Sequence, residues 1–237
     1  WDHLEELRGS LFRMLGVYGA AVGALFFFKG FLFDCIILAP SKSDFFMYRL
    51  LSADFSMTLV NIELAAQFLI HMKITFIAAL ILTFPYIIYE LWKFIEPALF
   101  DDEIRHIRPA FFGGTVMFFI GCAIGYLLVF PFTFRFLMEY ELSPSINNQI
   151  NLSSYIGNFT MLVLVMGIVF EMPLLAWLLS SLGILKKHML TEYRKHALVV
   201  LLIGAAFITP SSDPFTLMLV FIPLYVLYEI SIRVVKD

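Results

Sequence analysis

The residues of this sequence best suited to chemistry are carboxylates. Glu171 stands in Gly167-Ile-Val-Phe-Glu-Met-Pro173, with long apolar runs on both sides. A charge in so apolar a stretch costs at least about a few kcal/mol, so the carboxyl must face protein or water, or take up a proton. It reads as a functional group, with a structural carboxyl bonded to backbone freed by Pro173 as the alternative. A second set comprises Glu5, Glu6, Glu96, Asp101, Asp102 and Glu103. Helix capping and dipole compensation account in part for Asp101-Asp102-Glu103, which precede an apolar helix. They account less for Glu6, in the short amphipathic stretch Asp2-His-Leu-Glu-Glu-Leu-Arg8. Carboxylates gathered in this way suit a cationic ligand, above all a guanidinium, which a carboxylate grips with two hydrogen bonds. Enzymatic patterns are missing: the sequence has no GxxxxGK[ST], HExxH or GxSxG, and its five histidines lack metal-ligand spacing. No catalytic residue, cofactor or metal is expected, and the chain does not read as an enzyme.

The elements that must position these groups are apolar helices. Of 237 residues, 61% are hydrophobic and 15% charged, against roughly 45–50% and 25% in soluble domains. One soluble core cannot hide that excess. The composition predicts an all-α integral membrane protein and excludes soluble enzymes and secreted disulfide scaffolds. A net charge of −3 excludes a polybasic nucleic-acid binder. Cys35 and Cys122 read as apolar core residues. A spanning helix needs about 20 apolar residues. Six stretches are candidates, within a single domain over 1–237: about 11–33, 68–94, 110–137, 155–182, 197–208 and 215–232. The first is expected to be a span rather than a cleavable leader. The fifth covers only about 18 Å of a hydrocarbon core of about 30 Å. It is followed at once by the turn Thr209-Pro-Ser-Ser-Asp-Pro214, so the last two spans form a short hairpin. Pro85, Pro131, Pro173 and Pro223 fall inside spans and are expected to bend them. Gly121-Cys-Ala-Ile-Gly125 reads as helix packing.

Lys and Arg divide unequally between alternate sides. Arg8, Arg13, Lys93, Arg105, Arg108, Lys186, Lys187, Arg194, Lys195, Arg233 and Lys236 share one side, against Lys42, Arg49 and Arg135 on the other. The positive-inside bias puts both termini in the cytoplasm of a multi-pass protein of the cytoplasmic (inner) membrane. A proton-coupled small-solute secondary transporter would share the intramembrane glutamate and broken helices. It usually shows repeated halves, and residues 1–120 and 121–237 show no such similarity.

In its motifs the chain resembles the TatC family, the multispanning core of the twin-arginine protein translocase. The resemblance rests on His3-Leu-Glu-Glu-Leu-Arg8, Phe84-Pro85, Trp92-Lys-Phe-Ile-Glu-Pro-Ala-Leu99 with Glu103, and Phe170-Glu-Met-Pro173. Thr209-Pro210 with Asp213 and Ile222-Pro-Leu-Tyr-Val-Leu-Tyr-Glu-Ile230 complete it. It implies a curved, glove-like arrangement of six helices, the last two short, that exports folded proteins using the proton-motive force. It implies that Glu6, Arg8, Phe94 and Glu103 bind the signal peptide, and that Glu171 is the buried glutamate of the concave face. Asp213 is implied as the periplasmic aspartate before the last span. The partners implied are single-span TatA/TatB-type proteins, twin-arginine signal peptides of folded cargo, other TatC copies and membrane lipid. Where the family often has a second basic residue two after Arg8, this chain has Ser10.

Overall fold

The computed structural model describes residues 2–50, 58–96, 101–140, 143, 149–181, 183–211 and 213–235, and the side chains of all these but 2–4, 50, 95 and 101–110. They are mostly helical. Strand pairing among them is confined to a parallel bridge between β1 (Leu59–Val60) and β2 (Ile150–Asn151), with Leu59 opposite Ile150. The chain divides into two compact units, Trp1–Thr115 with Gln149–Thr160 and Val116–Asn148 with Met161–Asp237.

In the first unit, α1 (Asp2–Phe27) lies along α3 (Ala66–Ile95). The first apolar stretch was expected to span 11–33, but α1 ends at Phe27. There Lys29 and Gly30 break the apolar run, and the chain re-forms as a wider-turned helix over Phe31–Ile37. The short α2 (Phe46–Leu50) follows. The core of the unit gathers Leu32, Ile37, Tyr48, Tyr155 and Ile156, all buried. Tyr155 keeps its hydroxyl satisfied there by donating to the Ile37 carbonyl at 2.8 Å. Helix α1 contributes little to this core, and Ser10 is its one buried side chain among residues 5–27. It lies on α3 through a half-buried stripe of Met14, Tyr18, Ala21, Val22, Leu25 and Phe26, with specific contacts from Arg13 to Glu90, from the Tyr18 hydroxyl to the Phe76 carbonyl at 3.1 Å, and from Phe26 stacked on His71 at 4.3 Å.

The boundary between units falls within α4 (Asp101–Ile124) and α6 (Leu152–Val169). The second unit adds a wide turn at Gly125–Val129, α5 (Phe130–Glu139), α7 (Met172–Ser181), α8 (Lys187–Glu192), α9 (Arg194–Ile208) and α10 (Pro214–Val234). Helix α10 packs against α7 and α9. Glycines let α4 approach α6 closely. A Cβ on Gly121 would stand 2.5 Å from the Met166 carbonyl oxygen, and one on Gly125 3.0 Å from the Cα of Val163.

Five helical stretches among the described residues are long and apolar enough to cross a membrane: Glu5–Phe27, Ala66–Phe94, Phe111–Glu139, Leu152–Ser181 and Pro214–Val234. The remaining candidate, α9, has 15 residues and rises only about 22 Å. The four prolines expected to bend spans sit in different settings. Pro85 and Pro223 lie inside continuous helices. Pro131 follows the wide turn at Gly125–Val129 within a continuous helical stretch, and Pro173 occupies the second position of α7, just past the break at 170–171, where a missing N–H costs no helical bond.

Candidate functional site

At the N-terminal end of α1, facing the C-terminal end of α3, lies a cavity of about 190 Å³. Glu5, Glu6, Gly9, Ser10, Arg13, Lys93 and Phe94 line it. Pockets for whole small molecules usually measure about 300–1,000 Å³, so this space suits the head group of one side chain. Helical spacing builds the wall: Glu6, Gly9, Ser10 and Arg13 lie three or four residues apart and share a face of α1. Phe94 is half-buried and Glu6 exposed.

Arg13 on the cavity wall pairs with a buried carboxylate, Glu90. Arg13 Nε donates to Glu90 Oε1 at 3.0 Å and Nη2 to Oε2 at 2.9 Å, a two-point grip. The Tyr86 hydroxyl, one helical turn before Glu90, donates to Oε1 at 2.8 Å. Arg13 Nη2 also donates to Ser10 Oγ at 2.9 Å. The Glu90 side chain is 3% exposed and that of Arg13 46%. A second cleft of about 360 Å³ opens between α3 and α4, lined by Pro85, Tyr89, Trp92, Glu96, Phe111 and others, and it shares Lys93 with the first.

The structure thus brings Glu6 and Phe94 together and sets Arg8 apart. The Arg8 guanidinium lies 5.8 Å over the Phe12 ring, and Arg8 is not among the residues lining the cavity. Glu103 belongs to α4, but its side chain lies outside the described residues. Arg13 and Lys93 entered the sequence reading only as topology charges, and Glu90 escaped it. One signal pointed to the pair: opposite charges near the same end of two otherwise apolar helices, with Tyr86 four residues before the acid.

In the second unit, Glu171 occupies the two-residue break between α6 and α7. Its N–H donates to the Ile168 carbonyl at 3.0 Å, and its carbonyl accepts from Leu175 at 2.9 Å. The residue is 9% exposed, and its Oε1 has no hydrogen-bond partner among the described residues. Such an oxygen in a buried place asks for a function. Asp213 caps α10. It accepts the Thr216 N–H at 2.8 Å, with Pro214 ready-shaped at the first helical position. The Ser211 and Thr216 hydroxyls donate to its other oxygen. Burial works against its charge, but these hydrogen bonds prevail and hold the carboxyl below its ordinary pKa. Among the described residues no His, Cys, Asp and Glu cluster could hold a metal.

A family model described as TatC, Sec-independent protein translocase protein, matches residues 2–223. Relatives described as Sec-independent protein translocase protein TatC include one from Blattabacterium sp. subsp. Periplaneta americana. It is 35% identical, over 99% of this chain and 93% of its own length. One from Deinococcus radiodurans is 35% identical over 98% and 83%, and one from Helicobacter pylori 34% over 99% and 86%. Two crystal structures of a twin-arginine translocase receptor, TatC, are similar in fold, each at 30% identity. One has a TM-score of 0.78 and covers 98% of this chain and 97% of its own. The other, in DDM, has a TM-score of 0.81 and covers 99% and 100%.

Proposed function

Because this chain belongs to the TatC family of Sec-independent protein translocase proteins, we propose that it is the signal-peptide receptor and multispanning core of a twin-arginine translocase, exporting folded proteins on the proton-motive force. The observation that carries this reading is the cavity of about 190 Å³ with Glu5, Glu6 and Phe94 on its wall. Its size fits one guanidinium, and Glu5 and Glu6, with Glu90 paired to Arg13, leave a net negative charge to attract one. An exposed ion pair alone contributes only about 0–1 kcal/mol. Partial enclosure by Phe94 and the α3 end raises that contribution by excluding water.

The apolar exterior of the helices and the family make this a multi-pass membrane protein. In our reading it lies in the cytoplasmic membrane with both termini inside, as the distribution of Lys and Arg favours. The cavity then faces the compartment where signal peptides arrive. Glu103 joins it from the start of α4, and Arg8 acts beside it rather than in it. Glu171 assists insertion or passage of the peptide, and Asp213 holds the outer turn. Single-span proteins of the TatA/TatB type, further copies of the chain and lipid complete the assembly. The chain performs no bond chemistry of its own. The relatives and structures above give the small-solute transporter alternative no support.

The test is photocrosslinking from positions 6, 94 and 103 to signal peptides carrying Arg-Arg or Lys-Lys, with protein abundance checked. Arg-Arg should be captured about tenfold better, because an ammonium lacks the two-point contact. Glu103→Lys should reduce capture more than Glu103→Gln. Equal capture of both peptides, untouched by Glu103→Lys, removes this site from the function.

A further inference from the structure

We propose that the Arg13–Glu90 pair, with Tyr86 and Ser10, is the positioning clamp of the receptor cavity: it fixes the α1 wall against the α3 wall and keeps the cavity net negative. This rests on the receptor reading above.

The first ground is how α1 is held. Its half-buried stripe, Met14, Tyr18, Ala21, Val22, Leu25 and Phe26, begins beyond the cavity, and among residues 5–13 Ser10 alone is buried, so no apolar packing locks the cavity end of the helix. Its attachments to α3 are spaced along its length at Arg13, Tyr18 and Phe26. Of these, Arg13 alone touches the cavity. Tyr18 is about 8 Å and Phe26 about 20 Å further along the helix. They can hold the rest of α1, but not the separation of Glu6 from Phe94. The planar guanidinium bound at two points fixes orientation as well as distance, and Tyr86 fixes the carboxylate it grips.

The second ground is charge. Glu5 and Glu6 on the cavity wall are matched in number by Arg13 and Lys93, a balance that would not attract a cation. Glu90, buried and bonded at both oxygens, cancels Arg13 and restores a net negative charge. Arg13 is thereby made harmless to an incoming guanidinium while it braces the wall.

The experiment uses the full chain in lipid vesicles. One pair of spin labels sits at Leu7 and Leu91, exposed and outside the cavity lining. A second pair sits at Phe27 and Phe68, exposed, near the other end of α1 and α3. Distances are measured by pulsed electron resonance, and capture of an Arg-Arg peptide by photocrosslinking from position 94. The expected result is a narrow Leu7–Leu91 distribution that broadens in Arg13→Gln and in Glu90→Gln, while Phe27–Phe68 stays narrow. Glu90→Gln, which makes the cavity neutral, should lower capture about tenfold. The swap Arg13→Glu with Glu90→Arg should narrow the distribution and recover capture. The neutral pair Arg13→Gln with Glu90→Gln keeps the net charge but not the clamp, so it should broaden the distribution and still capture poorly. An unbroadened Leu7–Leu91 distribution in both single variants, or full capture by the neutral pair, overturns the clamp. If the unaltered chain shows the narrow distance but captures no Arg-Arg peptide, the receptor reading fails, and the distances still judge the clamp.

Discussion

Single carboxylates in this chain are set to different uses by what surrounds them. Asp213 is held by three donors at the start of α10, so it works as a helix cap. Asp213→Ala should cost about 0.5–2 kcal/mol of stability, whereas Asp213→Asn, itself a good cap, should cost a few tenths. Thermal unfolding in detergent measures both. Its folded pKa lies below the ordinary carboxyl value of about 3.9. The contribution of its charge is therefore full at pH 7 and at pH 5, and is lost as pH falls through the folded value. The gap between wild type and Asp213→Ala should stay constant down to about pH 5 and shrink below about pH 4. Glu171 has the opposite setting, buried with one oxygen unpartnered among the described residues. Glu171→Gln keeps size and hydrogen bonding and should fold, and export assays then read the charge alone. Glu171→Ala should impair transport or assembly more. An alanine variant that expresses normally and exports cargo at the wild-type rate would reduce Glu171 to a tolerated structural carboxyl.

The helices show where sequence periodicity and composition suffice and where they stop. Long apolar runs were enough to locate α3, α4, α6 and α10, because a bilayer demands length and apolarity and little else. The breaks were not legible. Pro131 and Pro173 predicted bends, but the sequence did not show that the first would follow a wide turn in a continuous helix and the second a two-residue break. The same limit applied to the site. Glu6 was legible from the amphipathic N-terminal stretch and Phe94 from motif resemblance, while Glu90, 77 residues from Arg13, belongs to no local pattern, and only the packing of α1 on α3 pairs them. Helix contacts at Gly121 and Gly167 give a sharper test. A Cβ at Gly121 would meet Met166 and Phe170, and one at Gly167 would come within 2.6 Å of the Cys122 sulfur. Gly121→Ala and Gly167→Ala should each destabilise by about 1–3 kcal/mol through overpacking. Gly204→Ala, with open space around it, should be neutral or slightly stabilising. Melting temperatures of the three variants decide this.

For the molecule as a whole, the charge distribution commits to one orientation. In a background lacking Cys35 and Cys122, single cysteines at Asp101 and Lys187 should resist an impermeant reagent applied to intact cells, and one at Lys42 should react. Labelling at 187 from outside would overturn the arrangement. The first unit carries a further consequence, because it is not continuous in sequence. Its core is closed by Tyr155 and Ile156, and β1 waits for Ile150. A ribosome making about 5–20 residues per second completes residues 1–115 several seconds before it delivers the segment that seals them. For that interval the Ile37 carbonyl lacks the Tyr155 hydroxyl and β1 lacks its pairing with β2. The first unit is thus sealed, beyond the end of α1 remote from the cavity, by a part of the chain that arrives late.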